Sequence, residues 1–180
     1  MANYTTADIK ELRERTGAGM MDVKKALDEA DGDTAKALEI IRVKGLNKAS
    51  KREGRATAEG LVAATVVDGA GYMLELNAET DFVAKNEKFV ELANKALEAA
   101  VANNVADVDA LLAAKIGDNT VAEEIEELSG VLGEKIQLRR LEKVEGALVK
   151  AYLHKTSQDL PAQVGVLFAV DGTGEAAETA

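Results

Sequence analysis

The chain has 180 residues, with 22 Lys and Arg against 32 Asp and Glu, a formal net charge of −10, one His and no Cys. Disulfides, thiolate nucleophiles and Cys-ligated zinc are thereby excluded, and apolar runs such as Leu61–Ala64 and Val164–Val170 fall far short of the roughly 20 residues that cross a bilayer. The start, Met1–Thr6, has neither a basic n-region nor an apolar h-region, so the expectation is a soluble, cytoplasmic protein with no membrane partner.

Three short helices are predicted over residues 1–45. Thr5 is placed to cap a helix carrying Ile9 and Leu12 on one face, with Asp8 in the first turn where negative charge is favourable, and Gly17-Ala18-Gly19 to stop it. Val23, Ala26, Leu27 and Ala30 follow at i, i+3, i+4 and i+7, a one-sided apolar stripe. Asp31-Gly32-Asp33 then breaks the chain, Asp33 is a cap for the third helix, Ala37, Ile40 and Ile41 face inward, and Gly45 is expected to close it. Helices of this length make a small bundle.

Residues 46–60 turn polar and basic, with Gly54 and Gly60 as breakers, and read as a linker. The stretch Arg42, Lys44, Lys48, Lys51, Arg52, Arg55 is the one basic run, and its plainest reading is a solvated helix and linker. Residues 1–60 hold 12 basic and 11 acidic side chains whereas 61–180 hold 10 and 21. A body of that charge, with 3% aromatic residues and no Trp, is unsuited to direct nucleic-acid binding.

From residue 61 the pattern becomes α+β with antiparallel strands and a long helix. Leu61–Val67, the turn residues Asp68-Gly69-Ala70-Gly71, and Tyr72–Asn77 form a hairpin signature, with Tyr72, Leu74 and Leu76 on one face. A long amphipathic helix follows, lined by Phe89, Leu92, Ala93, Ala96, Leu97 and Ala100, with Glu91 and Lys95 outside at i,i+4. Shorter helices are expected at Val108–Ala114 and Val121–Ser129, strands at Ile136–Val144, Ala147–His154 and Val164–Val170, and a loop over Thr156–Pro161. The stretch 172–180 has no aliphatic residue larger than Ala and reads as frayed.

No catalytic set is expected. Gly17-Ala18-Gly19 lacks a preceding strand and a third Gly, GxxxxGK[ST] does not occur, and a calcium loop with Gly32 at position six would begin on Leu27. His154 is the single imidazole, which leaves a hydrolase built on Asp81 and His154 as a formal alternative only.

Two other places attract attention. Met20 and Met21 open the second helix, where one of them should face solvent and suit an adaptable protein-binding surface, although both could pack inside a small bundle. Phe82, in Glu79-Thr80-Asp81-Phe82-Val83-Ala84-Lys85, is a core plug or an exposed anchor, and composition does not decide between them.

At these same segments the sequence resembles the bacterial elongation factor Ts family. Leu12–Leu27, LRERTGAGMMDVKKAL, resembles the family's first signature, and Glu75–Lys85, ELNAETDFVAK, its second; Tyr152–Leu167, YLHKTSQDLPAQVGVL, is most similar to actinobacterial members. The resemblance implies a ubiquitin-associated-like bundle at residues 1–45, an N-terminal core subdomain at 61–134, and the start of a second, incomplete core subdomain at 135–180, since family members usually continue further. It implies a guanine-nucleotide exchange factor, not an enzyme and without cofactor, that binds elongation factor Tu in its GDP-bound and nucleotide-free states. By the same resemblance Arg13, Met20, Met21 and Lys24 contact the nucleotide-binding domain of the partner. Thr80, Asp81, Phe82 and Val83 match the segment inserted beside its magnesium, and His154 matches a residue that meets another of its domains. Val23 and Ala78 stand where many members carry Cys. The alternative is a truncated chain that binds elongation factor Tu or another protein without efficient exchange.

Overall fold

The computed structural model describes residues 3–50, 52 and 54–172, the side chains of 46–50 excepted. The reading of the C-terminal stretch as frayed, at 173–180, and the basic side chains of Lys48 and Lys51 lie outside the described residues. The architecture is α+β, with seven helices and seven strands among the described residues and every strand pairing antiparallel. The chain divides into two compact units, Met1–Arg55 with Glu126–Lys135, and Ala56–Ile125 with Ile136–Ala180.

The first unit is built on α1 (Thr6–Thr16), α2 (Met20–Glu29) and α3 (Thr34–Ser50). Thr5 caps α1 reciprocally: Asp8 N–H donates to Thr5 Oγ1 at 3.3 Å, and Thr5 N–H donates to Asp8 Oδ2 at 2.6 Å. Asp33 caps α3 as expected, accepting from the N–H groups of Ala35 and Lys36 at 2.9 and 3.0 Å. The three apolar stripes meet in one core of Leu12, Val23, Ala26, Leu27, Ala30 and Ala37, with Ile9, Ile40 and Ile41 packed against it. Leu12 and Leu27 are essentially inaccessible, and burying each contributes about 1.5–3 kcal/mol before conformational entropy is counted.

Gly45 does not close the third helix. α3 runs through it to Ser50, into the residues read as a linker. A lone Gly costs only about 1 kcal/mol relative to Ala inside a helix, which the good helix formers Lys44, Leu46 and Lys48 around it outweigh. The basic run is partly structural, because Lys44 pairs with Glu29 at 2.7 Å and Arg52 donates to the Ser129 carbonyl at 3.0 Å.

The second unit carries β1 (Glu59–Val67), β2 (Ala70–Ala78), α4 (Asp81–Ala84), α5 (Glu87–Ala102), α6 (Val108–Ala113), the short β3 (Lys115–Ile116) and β4 (Asn119–Thr120), the start of α7 (Val121–Leu132), β5 (Ile136–Glu145), β6 (Leu148–His154) and β7 (Val164–Val170). The first hairpin turns on two residues rather than four. Asp68 and Gly69 both take positive φ, 50° and 77°, and Val67 pairs directly with Ala70, the geometry an Asp-Gly turn of type I′ provides.

β1, β2 and β5 form one sheet in that order. Its first face, Leu61, Ala63, Tyr72, Leu74, Leu76, Leu138 and Leu141, is buried, as are Phe89, Leu92, Ala93, Ala96, Leu97 and Ala100 along α5. Leu138 and Leu141 are three residues apart, a spacing that strict alternation would send to opposite faces. A register shift opposite Glu75 and Leu76 accommodates one extra residue in β5 and keeps both leucines inward. The β6–β7 hairpin packs on the other face: a Cβ at Gly71 would lie 2.8 Å from Val149 Cγ1, and one at Gly165 would lie 2.8 Å from Met73 Cε. Val149, Leu167 and Gly165 therefore point at the sheet, and Tyr152, His154, Val164 and Val166 point away from it.

Candidate partner-binding surfaces

In the first unit the turn between α1 and α2 positions the candidates. Gly17, at φ 64°, ends α1 by donating its N–H to the Arg13 carbonyl at 2.7 Å, which places Arg13 at this corner with its side chain exposed. Thr16 Oγ1 donates to the Leu12 carbonyl at 2.6 Å and accepts from Ala18 N–H at 3.2 Å, fixing the loop from beneath. Gly19 then opens α2, and Val23 enters the core. Both methionines are left outside: Met20 is 55% exposed and Met21 63%, so the expectation that one of them faces solvent understates the surface. Lys24, one turn after Met20, is exposed on the same side of the helix.

In the second unit Thr80–Val83 forms a short raised corner between β2 and α5. Thr80 caps α4, its hydroxyl accepting from Val83 N–H at 3.5 Å and its carbonyl from Ala84 N–H at 3.1 Å. Val83 and Ala84 are buried, while Phe82 is 73% exposed, the most exposed large apolar side chain among the described residues. Phe82 is thus the exposed anchor and not the core plug. The Lys85 ammonium lies 4.4 Å from the centroid of its ring and 3.7 Å from Asp81 Oδ2. Asn86 then caps α5, accepting from Lys88 N–H at 3.0 Å. Buried Val83 and Ala84 hold the backbone on one side of Phe82 and half-buried Thr80 and Asp81 on the other, and the apolar ring projects.

His154 ends β6 on the outward face of its hairpin, with Val164 directly across. Tyr152 OH lies 3.2 Å from His154 Nδ1 and the two rings stack with centroids 6.3 Å apart. Tyr152, Val164 and Val166 are 61%, 49% and 53% exposed, making this face amphipathic. The candidates are therefore brought together as Met20 with Lys24 beside the Arg13 corner, and as the contiguous Thr80–Val83, whereas His154 stands on a separate element. Lys85 and Tyr152 carry only weak signals in the sequence, the i,i+4 spacing of Asp81 to Lys85 and the period-two spacing of Tyr152 to His154. Among the described residues no group of three or more His, Asp or Glu is placed to hold a metal ion.

The segment bearing Phe82 lies within a family match. The family model described as "Elongation factor TS" matches residues 79–180. Elongation factor Ts of Renibacterium salmoninarum is 71% identical over 180 residues, covering 100% of this chain and 65% of that protein. The chain belongs to the elongation factor Ts family. The proteins of the same name from Micrococcus luteus and from Arthrobacter sp. are 66% and 65% identical, again over 100% of this chain and 65% of their own length. The chain thus spans somewhat under two thirds of the length of these curated relatives. Val23 and Ala78 are both 0% exposed, so each fills core volume.

Proposed function

We propose that the chain is a guanine-nucleotide exchange factor that binds elongation factor Tu in its GDP-bound and nucleotide-free states and promotes GDP release during translation elongation. The observation that carries this reading is Phe82, an apolar ring held outward on a backbone whose next two residues are buried. Leaving such a ring in water forgoes about 1.5–3 kcal/mol of burial, a sacrifice that is recovered when a partner covers it.

Exchange requires no covalent change in either protein. A factor that binds nucleotide-free partner more tightly than nucleotide-bound partner must, by linkage, weaken nucleotide binding by the same factor. Each tenfold loosening of GDP needs about 1.4 kcal/mol of such differential binding. On this reading Phe82 wedges between packed elements of the partner, and Asp81 disturbs the hydrogen bonds around its magnesium, whose charge dominates a phosphate site. Thr80 and Val83 hold the wedge in place. Arg13, Met20, Met21 and Lys24 dock on the nucleotide-binding domain, and His154 on another domain of the same partner.

The proposal extends to organisation and setting. Residues 1–45 are read as the body of a ubiquitin-associated-like bundle whose third helix continues to Ser50, 46–60 as the basic connection that this helix enters, 61–134 as the N-terminal core subdomain and 135–180 as the start of a second one. The working place is the cytoplasm, without direct contact to nucleic acid or membrane; no described helix is long and apolar enough to cross a bilayer. A second reading is a chain that binds elongation factor Tu or another protein without efficient exchange, for which the exposed Met20, Met21 and Phe82 side chains would serve equally well. Release of fluorescent GDP from elongation factor Tu, measured with and without the chain, separates the two: acceleration supports exchange, and binding without acceleration supports the second.

A further inference from the structure

The raised corner carries a cation that neither its capping nor its burial requires. We propose that Lys85 is a positioning residue, which holds the Phe82 ring and the Asp81 carboxylate in their presented geometry before any partner arrives. The idea rests on the reading of Thr80–Val83 as the inserted segment.

Two distances converge on one ammonium. Lys85 Nζ is 4.4 Å from the Phe82 centroid, inside the range of about 6 Å over which a cation is drawn to a ring face, and 3.7 Å from Asp81 Oδ2. The helical spacing makes this possible, since Asp81 and Phe82 precede Lys85 by four and three residues, the two separations that face each other on a helix. The Lys85 N–H donates to the Asp81 carbonyl at 3.1 Å, so its backbone is fixed by the turn it closes.

The need for such a device follows from the exposure of the ring. Val83 and Ala84 anchor the backbone, yet Phe82 stands 73% exposed, where burial alone does not choose among its rotamers. A side chain ordered only on docking weakens binding by the entropy it loses then, and one already held avoids that loss. Lys85 supplies the hold while leaving the outer part of the ring free for a partner. Its contact with Asp81 ties the wedge to the carboxylate placed beside the partner's magnesium, so both groups arrive in one fixed relation.

The test has one arm without the partner and one with it. In the free 180-residue chain, proton–carbon NMR reads the Lys85 ε-methylene, which the ring current of Phe82 moves upfield of the other lysines; Phe82→Leu returns it to the ordinary position. Stimulated GDP release from elongation factor Tu is then measured for the unaltered chain, Lys85→Met, Lys85→Arg, Phe82→Leu and the Phe82→Leu/Lys85→Met double variant, each checked for an unchanged thermal melt. The expected result is a loss of about 2- to 5-fold for Lys85→Met, the size of an exposed cation–ring contact, with recovery in Lys85→Arg and a smaller loss in the Phe82→Leu background, where only the Asp81 contact is left to lose. An ordinary Lys85 shift overturns the proposal. So does a Lys85→Met loss of the same size with and without the Phe82 ring, or no loss at all from an active chain. Should the unaltered chain fail to stimulate release, the exchange reading falls and the NMR arm alone decides: an upfield signal that reverts in Phe82→Leu upholds the hold, and an ordinary one overturns it.

Discussion

The Tyr72 hydroxyl donates to Asn104 Oδ1 at 2.9 Å, joining the middle strand of the sheet to the residue that follows the cap of α5. Lys143 of β5 donates to the same oxygen at 2.8 Å and lies 5.7 Å from the Tyr72 ring centroid. Asn104 itself holds φ at 52°, a conformation Asn tolerates better than most residues. One side chain thus fastens two strands to the end of the long helix that lies along them.

Tyr72→Phe is expected to destabilise the chain by about 1 kcal/mol, the net value of one such hydrogen bond. Asn104→Ala should cost more, about 2 kcal/mol, because two donors lose their acceptor and Ala is strained at this φ. Urea denaturation checks both, through a lowered midpoint with an unchanged slope.

Gly17→Ala is expected to be among the most damaging single-methyl additions to the first unit. The φ of 64° is unfavourable for any side chain, and a Cβ there would lie 2.4 Å from Val131 Cγ1. Strain and overpacking together predict a loss of about 2–4 kcal/mol, read as a drop in thermal midpoint. A neutral result would show that the α1–α2 corner is not held as described.

Asp8 makes the first helix sensitive to acid. The Thr5 N–H, and after it the Thr5 hydroxyl, hold the Asp8 carboxyl below its ordinary value of 3.8. A depressed carboxylate contributes stability that is present above its unfolded pKa and lost as the pH falls through the folded one. Asp8→Ala should therefore be less stable than the unaltered chain near neutral pH, and the difference should vanish once the pH falls below the folded value. A gap that persisted in acid would assign the effect to contacts of the Asp8 side chain other than its charge, since helix propensity favours Ala over Asp.

Met20→Ala together with Met21→Ala tests the first candidate surface. Both side chains are more than half exposed, so folding stability should change by no more than about 0.5 kcal/mol. Affinity for elongation factor Tu, measured by titration calorimetry, should fall by about tenfold or more if the pair is buried on docking.

Much of this arrangement was legible in the residues. Caps at Thr5 and Asp33, the core stripe Val23, Ala26, Leu27 and the alternation Tyr72, Leu74, Leu76 are local patterns whose physics is complete within one element. What escaped depends on distant partners or on small energies. Gly45 resembles a stop, but one unfavourable residue does not end a helix its neighbours support. Leu138 and Leu141 break the strand alternation, and only pairing with β2 reveals the extra residue between them. Phe82 was undecidable because exposure is fixed by whether the sheet and α5 leave room beneath it, and that room is filled by Val83 and Ala84.

The central claim is that the exposed Phe82 ring drives nucleotide release from elongation factor Tu. Stopped-flow release of fluorescent GDP, compared for the unaltered chain and Phe82→Ala at equal fold stability, tests it most directly. The account predicts that the unaltered chain accelerates release and that Phe82→Ala reduces the acceleration by about tenfold or more, equivalent to at least ~1.4 kcal/mol of lost differential binding. Equal acceleration by the two proteins would contradict it.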